Sequence, residues 1–567
     1  MKKNGQYPFQ FLGYDHGVHY FLPNGSKQVR NFREDQLNKS HLLGLAPLQY
    51  WEITFASKSG ARWDMATNSI IAKSHEAGVY DPDRIRGCGA WWDGDHAVLH
   101  LGDRLTIGGK ESPLDVPGRY IYERTRPLNV DPTNPLDAKS ARAVLRICEL
   151  ISWDQPISAR YLAGWLAIAP ICGALTWRPH VWIVGESGSG KTWIVDHIIR
   201  YILSGVNLQV SHTTTEAGLR QMLGQDARPI TFDESEGSGQ RGQDRIDNVL
   251  GLARQASSDT MAAIIKGSAS GEAVSYRIRS CFLFSSIGYG VTAKADESRV
   301  TAMTIIKDDN TERYIKLAAL VAETMTTDYV HRLVARSIHM IPVIRANARI
   351  FAAAAAKTLG SQRAGDQIGA LLAGAYSLDS DDVITVERAT EWIGSKDWTE
   401  QRGLTAETDQ YRCYHHLMAA SLRCQPKSGP CDRTVGELVD IAAARPAPTE
   451  EVISEQVALD TLGRAGIKAD AEGVIISVSH AVIKRIFQDT DWSRSWGRTL
   501  LRLPGAWTSN NPIRFKGGRT RGVTIPFDKN DSEPFLQNQD PQKSEKNTQT
   551  DDQEPLFDDE NDRNDSV

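Results

Sequence analysis

Val181-Trp-Ile-Val-Gly-Glu-Ser-Gly-Ser-Gly-Lys-Thr192 sets an apolar run directly against a glycine-rich one. The run from His180 to Val184 reads as a buried parallel strand, and Trp193 to Leu203 (WIVDHIIRYIL) as an amphipathic helix closed by Ser204-Gly205. Between them, Gly185, Glu186, Ser187, Gly188, Ser189, Gly190, Lys191 and Thr192 complete a G-x-x-x-x-G-K-T pattern in the strand–loop–helix order that a phosphate loop requires. The glycines let backbone N–H groups turn inward around a phosphate chain. The helix start adds partial positive charge. Lys191 is expected to reach the outer phosphates and the Thr192 hydroxyl to hold Mg²⁺, so ATP and Mg²⁺ are the expected ligands.

The surrounding chain has 567 residues, room for several domains. Its 41% hydrophobic and 24% charged residues are ordinary for a globular protein. No apolar run reaches the length of a membrane span on this reading. The start, Met1-Lys-Lys-Asn-Gly-Gln6, has no apolar core, and seven scattered cysteines fit a reducing compartment, so a cytoplasmic chain is expected. The net charge of −5 hides an asymmetry: residues 528–567 hold thirteen acids and four bases, a net of −9, leaving +4 for the body. A mildly basic body permits a nucleic-acid partner.

Downstream of the loop, Val206 to Val210 is a candidate second strand. Pro229-Ile-Thr-Phe-Asp233-Glu234 is a third, with its acids at the C-terminal tip where ligand-facing residues of an open α/β sheet belong. Asp233 is expected at the metal's water shell and Glu234 as the group that polarises an attacking water, with Glu236 a substitute. A helix is expected over Gln243 to Ala256, then a hairpin from Met261–Lys266 and Glu272–Arg279. A buried strand follows, Cys281 to Ser286, whose Ser285 or Ser286 would sense the γ-phosphate. Asp296-Glu297-Ser298-Arg299 precedes the strand Thr301 to Ile306.

Phosphate loop, Asp-Glu strand, helix, hairpin, polar-tipped strand and an arginine before a last strand together resemble the AAA+ ATPase core. The hairpin before the sensor strand resembles the branch that holds superfamily-three and MCM-type replicative helicases. Trp177-Arg-Pro-His-Val-Trp-Ile-Val-Gly185 and its flanking domains resemble the ATPase half of primase–helicase-like proteins of phages and integrative elements, over roughly residues 1–525. A serine sensor departs from the usual Asn or Thr. The resemblance implies a homo-hexameric ring, Arg299 as an arginine finger on the neighbour's ATP, and a hairpin in the pore with Lys266 touching DNA phosphates. A salt bridge of Arg299 with Asp296 or Glu297 is the plain alternative, as is a solvated charge for Lys266.

The fold class expected is therefore an α/β P-loop NTPase (AAA+) core at 178–307 with a helical lid at 308–425. A β-rich N-terminal domain (1–125, with Tyr20–Leu22, Tyr50–Phe55 and Ala97–Leu101 as strands) and a helical collar (126–177) precede it. In the lid, Arg363 would act as a second phosphate sensor, with Arg345 and Arg349 competing. A winged-helix-like DNA-binding domain follows at 431–527, with Arg494 and Arg498 on a helix beside Trp492 and Trp496, and Arg514, Lys516, Arg519 and Arg521 in a wing. A protein-docking wing is the competing reading. The tail at 528–567 is acidic and poor in apolar residues, hence expected to be disordered. Its Gln553, Leu556 and Phe557 resemble a peptide that docks bacterial sliding clamps.

Two metal constellations read as structural: Asp93, Asp95, His96, His100 and Asp103 as a hairpin, and Cys413, Cys424 and Cys431 as helical core cysteines around His415 and His416. The function expected is an ATP-dependent DNA helicase or translocase acting on single-stranded or forked DNA in replication of a phage or mobile element. An ATP-controlled initiator or helicase loader is the rival, and an ATPase without a nucleic-acid partner the third class. No primase signature is visible.

Overall fold

The computed structural model describes residues 7–211, 213–233, 239–258, 264–267, 273–288, 296, 298–398, 401, 409–426, 429–443, 453–490, 492–509, 511–516 and 518–527, with backbone alone at 239–241, 264–267 and 273–276. They divide into two compact units, one ending at Asp397 and the other beginning at Trp398.

The first unit is built on a five-stranded, wholly parallel sheet. Its order is Leu208–Val210, Ile230–Phe232, Phe282–Ser286, His180–Gly185, Val300–Ile305. A parallel sheet survives only with both faces covered, and its three central strands are buried along almost their whole length, while the edge strands are partly exposed. Trp182, Phe232, Phe282 and Phe284 point to one face. There they pack against Leu219 and Leu223 of the helix Glu216–Leu223 and against Ile246, Val249 and Leu250 of the helix Gly239–Ala256. Trp182 stacks on Phe284 with ring centroids 4.9 Å apart. Alternation sends Ile183, Ser285 and the side chain beyond Phe232 to the opposite face. The loop strand lies between Phe282–Ser286 and Val300–Ile305, so the acid-tipped strand is two places away from it.

Helices flank the sheet in sequence. Ala138–Glu149 and Ile157–Ile168 precede it; Thr311–Thr324, Thr327–His339, Ile341–Leu359 and Gln362–Ser377 follow. Ile157–Ile168 and Gln362–Ser377 cross on bare backbone: a Cβ on Gly164 would lie 1.9 Å from the Leu371 carbonyl oxygen, and one on Gly374 would lie 2.3 Å from that of Gly164. The collar and the following helices are thus one packed body. The segment Ile157–Ala174 is also long and apolar enough to span a membrane, contrary to the run-length expectation. With 89% of it buried, it is accounted for as a core helix.

The N-terminal region is mixed rather than β-rich. It holds a three-stranded antiparallel sheet (Phe9–Asp15, Val18–Pro23, Arg30–Arg33), the helices Lys39–Leu45, Leu48–Thr54 and Trp63–Glu76, and a four-stranded antiparallel sheet that includes Gly89–Asp93 and His96–His100. Tyr50–Phe55, expected as a strand, is helical. Its alternating Trp51, Ile53 and Phe55 imitate a half-buried strand, but Ile53 is 73% exposed, while Trp51 is buried with its indole N–H donating to the Leu42 and Ala46 carbonyls.

The second unit starts with the helix Asp409–Ala419 and the hairpin Ser421–Cys424 with Cys431–Thr434. Helices Val435–Ala442 and Glu455–Ala465 follow, then a four-stranded sheet ordered Ile467–Asp470, Gly473–Ser477, Gly522–Pro526, Trp507–Thr508. Ala481–Ile486 and Trp496–Leu500 pack on one core with Leu438, Leu462, Ile476 and Val523. Of the three cysteines read as helical, only Cys413 is in a helix; Cys424 and Cys431 face each other across the hairpin.

Candidate functional site

The loop strand ends at Gly185, and the helix begins at Lys191 on Gly190 as its N-cap. Gly188 (φ 82°) and Gly190 (φ 88°) take left-handed conformations closed to ordinary side chains. A Cβ on Gly185 would stand 2.7 Å from both the Ile305 carbonyl oxygen and Ser189 Oγ. Lys191 folds back over the loop, its ammonium donating to the carbonyls of Gly185 and, at 2.9 Å, Glu186. The Ser189 hydroxyl is buried with no hydrogen-bond partner among the described residues. Thr192 is exposed at the helix start. Helix-start N–H groups have no intrahelical acceptor. A curled loop, an ammonium on loop carbonyls and an orphan hydroxyl fit a phosphate chain. The helix runs on through a wider turn, Val195–Ile199, into Arg200–Ile202.

Asp233 follows Phe232 at the C-terminal rim. Strand register sets Phe232 level with Phe284 and Trp182, which puts Asp233 on the Ile183–Ser285 row, about two strand spacings (~10 Å) from the loop strand. Arg200 donates to Asp233 Oδ2 at 2.7 Å and also pairs with Asp196. Arg200 lies on the loop's own helix, so that helix covers the face to which Ser285 and Asp233 point. Glu234 and Glu236 lie outside the described residues. Of the two candidate sensors, Ser286 is committed elsewhere: Trp182 Nε1 donates to its hydroxyl at 2.6 Å, and the hydroxyl donates to the Gly288 carbonyl. That leaves Ser285 on the helix-bearing face.

Arg299 and Arg363 meet at the opposite end of the sheet. Val300 is level with His180 and Ile305 with Gly185, so Arg299, six residues before Ile305, lies about 20 Å along the strand direction from the loop. Arg254 grips Asp296 with two bonds of 2.6 and 2.7 Å, and Arg363 Nη1 lies 3.3 Å from Ser298 Oγ. Arg299 is buried; burial first, then Arg363 and Arg254, pull its pKa below the usual guanidinium range. Arg363 is exposed. Arg363 thus stands at the far end of the strands from the loop. Its competitor Arg345 is turned to Trp92, 4.6 Å from the ring.

Beside this cluster sits His180. Its Nδ1 accepts from the Phe282 N–H at 3.1 Å, and its Nε2 lies 2.6 Å from the Ala253 carbonyl. Burial drives its pKa down to about 3.

The hairpin of the first unit is Ile264–Gly267 with Ala273–Tyr276, Lys266 opposite Val274; its tip and the Lys266 side chain lie outside the described residues. In the second unit Arg494, Arg498, Arg514, Lys516, Arg519 and Arg521 are all exposed. Arg514 stands directly opposite Arg519 in the hairpin Ile513–Phe515 with Gly518–Thr520, while Lys516 pairs with Asp460. Gln553, Leu556 and Phe557 lie outside the described residues.

Asp93-Gly94-Asp95 turns a hairpin, with Asp93 opposite His96 and Gly94 at φ 73°. A different group, unmarked in the sequence, brings ligand atoms of His19, Glu34 and His75 within 4.8 Å of one another. Arg200 and His180 were likewise missed. Arg200 did carry a signal, an arginine four residues after Asp196 on the face that the loop's helix turns to the acid-tipped strand.

The sheet, its covering helices and the loop at its C-terminal rim define an α/β core of the NTPase kind. No protein-family model matches this sequence, and no curated protein matches it. Among solved structures it is similar to the active helicase SCCmec type IV Cch, at 11% identity over 91% of this chain and 93% of that one, with a TM-score of 0.43. It is also similar to the NrS-1 C-terminal region in its apo A form, at 13% identity over 75% of this chain and 96% of that one, TM-score 0.27. The JCV helicase matches at 11% identity over 37% of this chain and 65% of that one, TM-score 0.22. These values are too low to transfer any residue's role.

Proposed function

We propose that the chain is an ATP-driven DNA helicase, or a closely related translocase, serving replication of a phage or mobile element. One observation carries the reading: a glycine loop with Lys191 at its exit and the Asp233 carboxylate share one rim of a parallel sheet. Lys191 would leave the loop carbonyls for the β- and γ-phosphates of ATP, with Gly185 to Gly190 lending backbone N–H groups. Mg²⁺, held by Thr192 and Asp233, would neutralise phosphate charge. Glu234 would orient the attacking water, and Ser285 would read the γ-phosphate. Work on DNA would fall to the Lys266 hairpin and the wing arginines, in a homo-hexamer whose Arg299 completes the neighbouring site.

The rival is an initiator or loader, in which ATP controls assembly and a partner unwinds; exposed wing arginines in a separate compact unit suit it equally. Hydrolysis of ATP should rise with single-stranded DNA and fall by at least about a hundredfold in Lys191→Ala or Glu234→Gln. Protein that retains no adenine nucleotide with magnesium would sink the reading. Displacement of a strand from a forked duplex by the chain alone separates helicase from loader.

A further inference from the structure

A second place in the first unit gathers arginines and aromatic rings. A cavity of about 240 Å³ is lined by Arg86, Trp91, Trp92, Tyr120, Arg279 and Arg345, with Gly173, Ala174 and Thr176 as its remaining wall. Among the described residues its lining includes three arginines. Arg86 is 6% exposed, yet its Nε and Nη1 are buried with no hydrogen-bond partner among the described residues. Its guanidinium carbon lies 4.4 Å from the Trp91 ring centre and 4.0 Å from that of Tyr120, so aromatic rings cover the group and fix it. Among the described residues it pairs with Asp93, 3.4 Å from Nη2, and that carboxylate also accepts from the Tyr122 hydroxyl. Arg279 leans on Trp91 at 5.5 Å and Arg345 on Trp92 at 4.6 Å.

Burying guanidinium donors with nothing to receive them is unfavourable. Arg345 also donates through Nη1 to the Ala174 carbonyl in the cavity wall, which fixes its guanidinium there. Stacked guanidinium groups lose little further freedom on binding, and planar donor arrays suit phosphate oxygens. Ligand pockets run to about 300–1,000 Å³, and this cavity, just below that range, suits one small unit rather than a longer ligand. Trp92 and Tyr120 are half-buried, and flat rings at such a site are platforms for a base.

The cavity is separate from the phosphate loop. Thr176 precedes the loop strand by four residues and Arg279 precedes the strand Phe282–Ser286 by three, so both stand at the N-terminal ends of their strands. Arg279 also follows the hairpin strand Ala273–Tyr276 by three residues, and its neighbour Arg277 is anchored to Asp83 at 3.0 Å.

We propose that this cavity takes one nucleotide of a single-stranded nucleic acid, its phosphate on Arg86, Arg279 and Arg345 and its base against Trp92 or Tyr120. The same chemistry is offered by a free mononucleotide or by phosphate, and the test separates the sources. Full-length protein without ATP is irradiated with a 5-iodouracil oligonucleotide and the adducts are mapped. Adducts should fall on the peptides containing Trp91–Trp92 or Tyr120. Arg279→Gln should lower their yield about tenfold, the loss of one charged phosphate contact, and Arg279→Lys should recover part of it. Trp92→Leu serves as a second variant, and melting curves confirm that each variant folds. Protection should need micromolar unlabelled oligonucleotide and far more thymidine monophosphate or inorganic phosphate. The proposal is overturned if adducts form only elsewhere or yields are unchanged in both variants. Its strand assignment is overturned if the mononucleotide or phosphate protects at lower concentration than the oligonucleotide. Because no ATP is present, failure here leaves the ATPase reading standing.

Discussion

At the residue scale, two side chains that motif reading passed over control the behaviour expected of the core. Arg200 holds Asp233, the carboxylate proposed for the metal, and both side chains are 26% exposed. A half-exposed pair of this kind contributes about 0.2–1 kcal/mol, so releasing it should make Asp233 more available. Arg200→Gln is expected to lower the magnesium concentration for half-maximal ATP hydrolysis by a factor of about 1.4 to 5, the factor that energy converts to. A higher requirement would mean that Arg200 presents the carboxylate rather than withholding it. His180 gives a pH signature. Its folded pKa, about 3, lies below the unfolded 6.5 because burial penalises the charged ring. A buried neutral imidazole takes up its proton only on unfolding, so its contribution is fully present above pH 6.5 and is lost as pH falls toward 3. The wild type should lose up to about 1.4 kcal/mol per pH unit in that window from this group. His180→Gln should be less stable at pH 7 and show a shallower acid slope; equal slopes would remove the assignment.

At the scale of elements, the wing hairpin is where charge outruns local stability. Arg514 and Arg519 stand directly opposite each other, an arrangement that destabilises a strand pair unless an anion lies across it. Arg514→Ala with Arg519→Ala should therefore leave the melting temperature unchanged or slightly raised. On single-stranded DNA the double variant should reduce the salt dependence of binding by about 1.4, two contacts at ~0.7 each. An unchanged slope assigns the wing to a protein partner. The same scale shows what the sequence could and could not tell. The loop, the parallel strands and the following helices were legible because buried strands are continuous apolar runs and glycines at fixed offsets permit only one turn. Tyr50–Phe55 was misread because period-two alternation also occurs in a short helix that buries one tryptophan. Ile157–Ala174 was overlooked as a span-length segment because small residues dilute its apolar character, and those same residues permit the Gly164–Gly374 crossing. Ser285 and Ser286 could not be told apart until register showed which face each serves. The Arg86 cavity draws on segments from residue 86 to residue 345, a distance that no local pattern encodes.

At the scale of the whole molecule, the geometry of the sheet forces a question about copies of the chain. Arg299 and exposed Arg363 lie at the strand ends opposite the phosphate loop, about 20 Å along the strands from their own chain's loop. Two accounts of Arg299 then remain. In one it is a packing residue of the Arg254–Asp296 cluster, and its loss simply weakens the fold. In the other it reaches the nucleotide of a neighbour in a ring, because a head-to-tail interface sets one end of a subunit against the other end of the next. Mixing distinguishes them. Lys191→Ala keeps the arginine and loses the loop; Arg299→Ala keeps the loop and loses the arginine. Each alone should hydrolyse ATP poorly. Mixed in equal amounts and allowed to reassemble, about a quarter of interfaces would join an intact loop to an intact arginine, and activity should recover in proportion. Repeating the mixture with Arg363→Ala tells whether the exposed member of the cluster shares the task. If mixing restores nothing while both variants melt like the wild type and form the same assemblies, Arg299 belongs to packing alone, and the neighbour's site is completed by some other group.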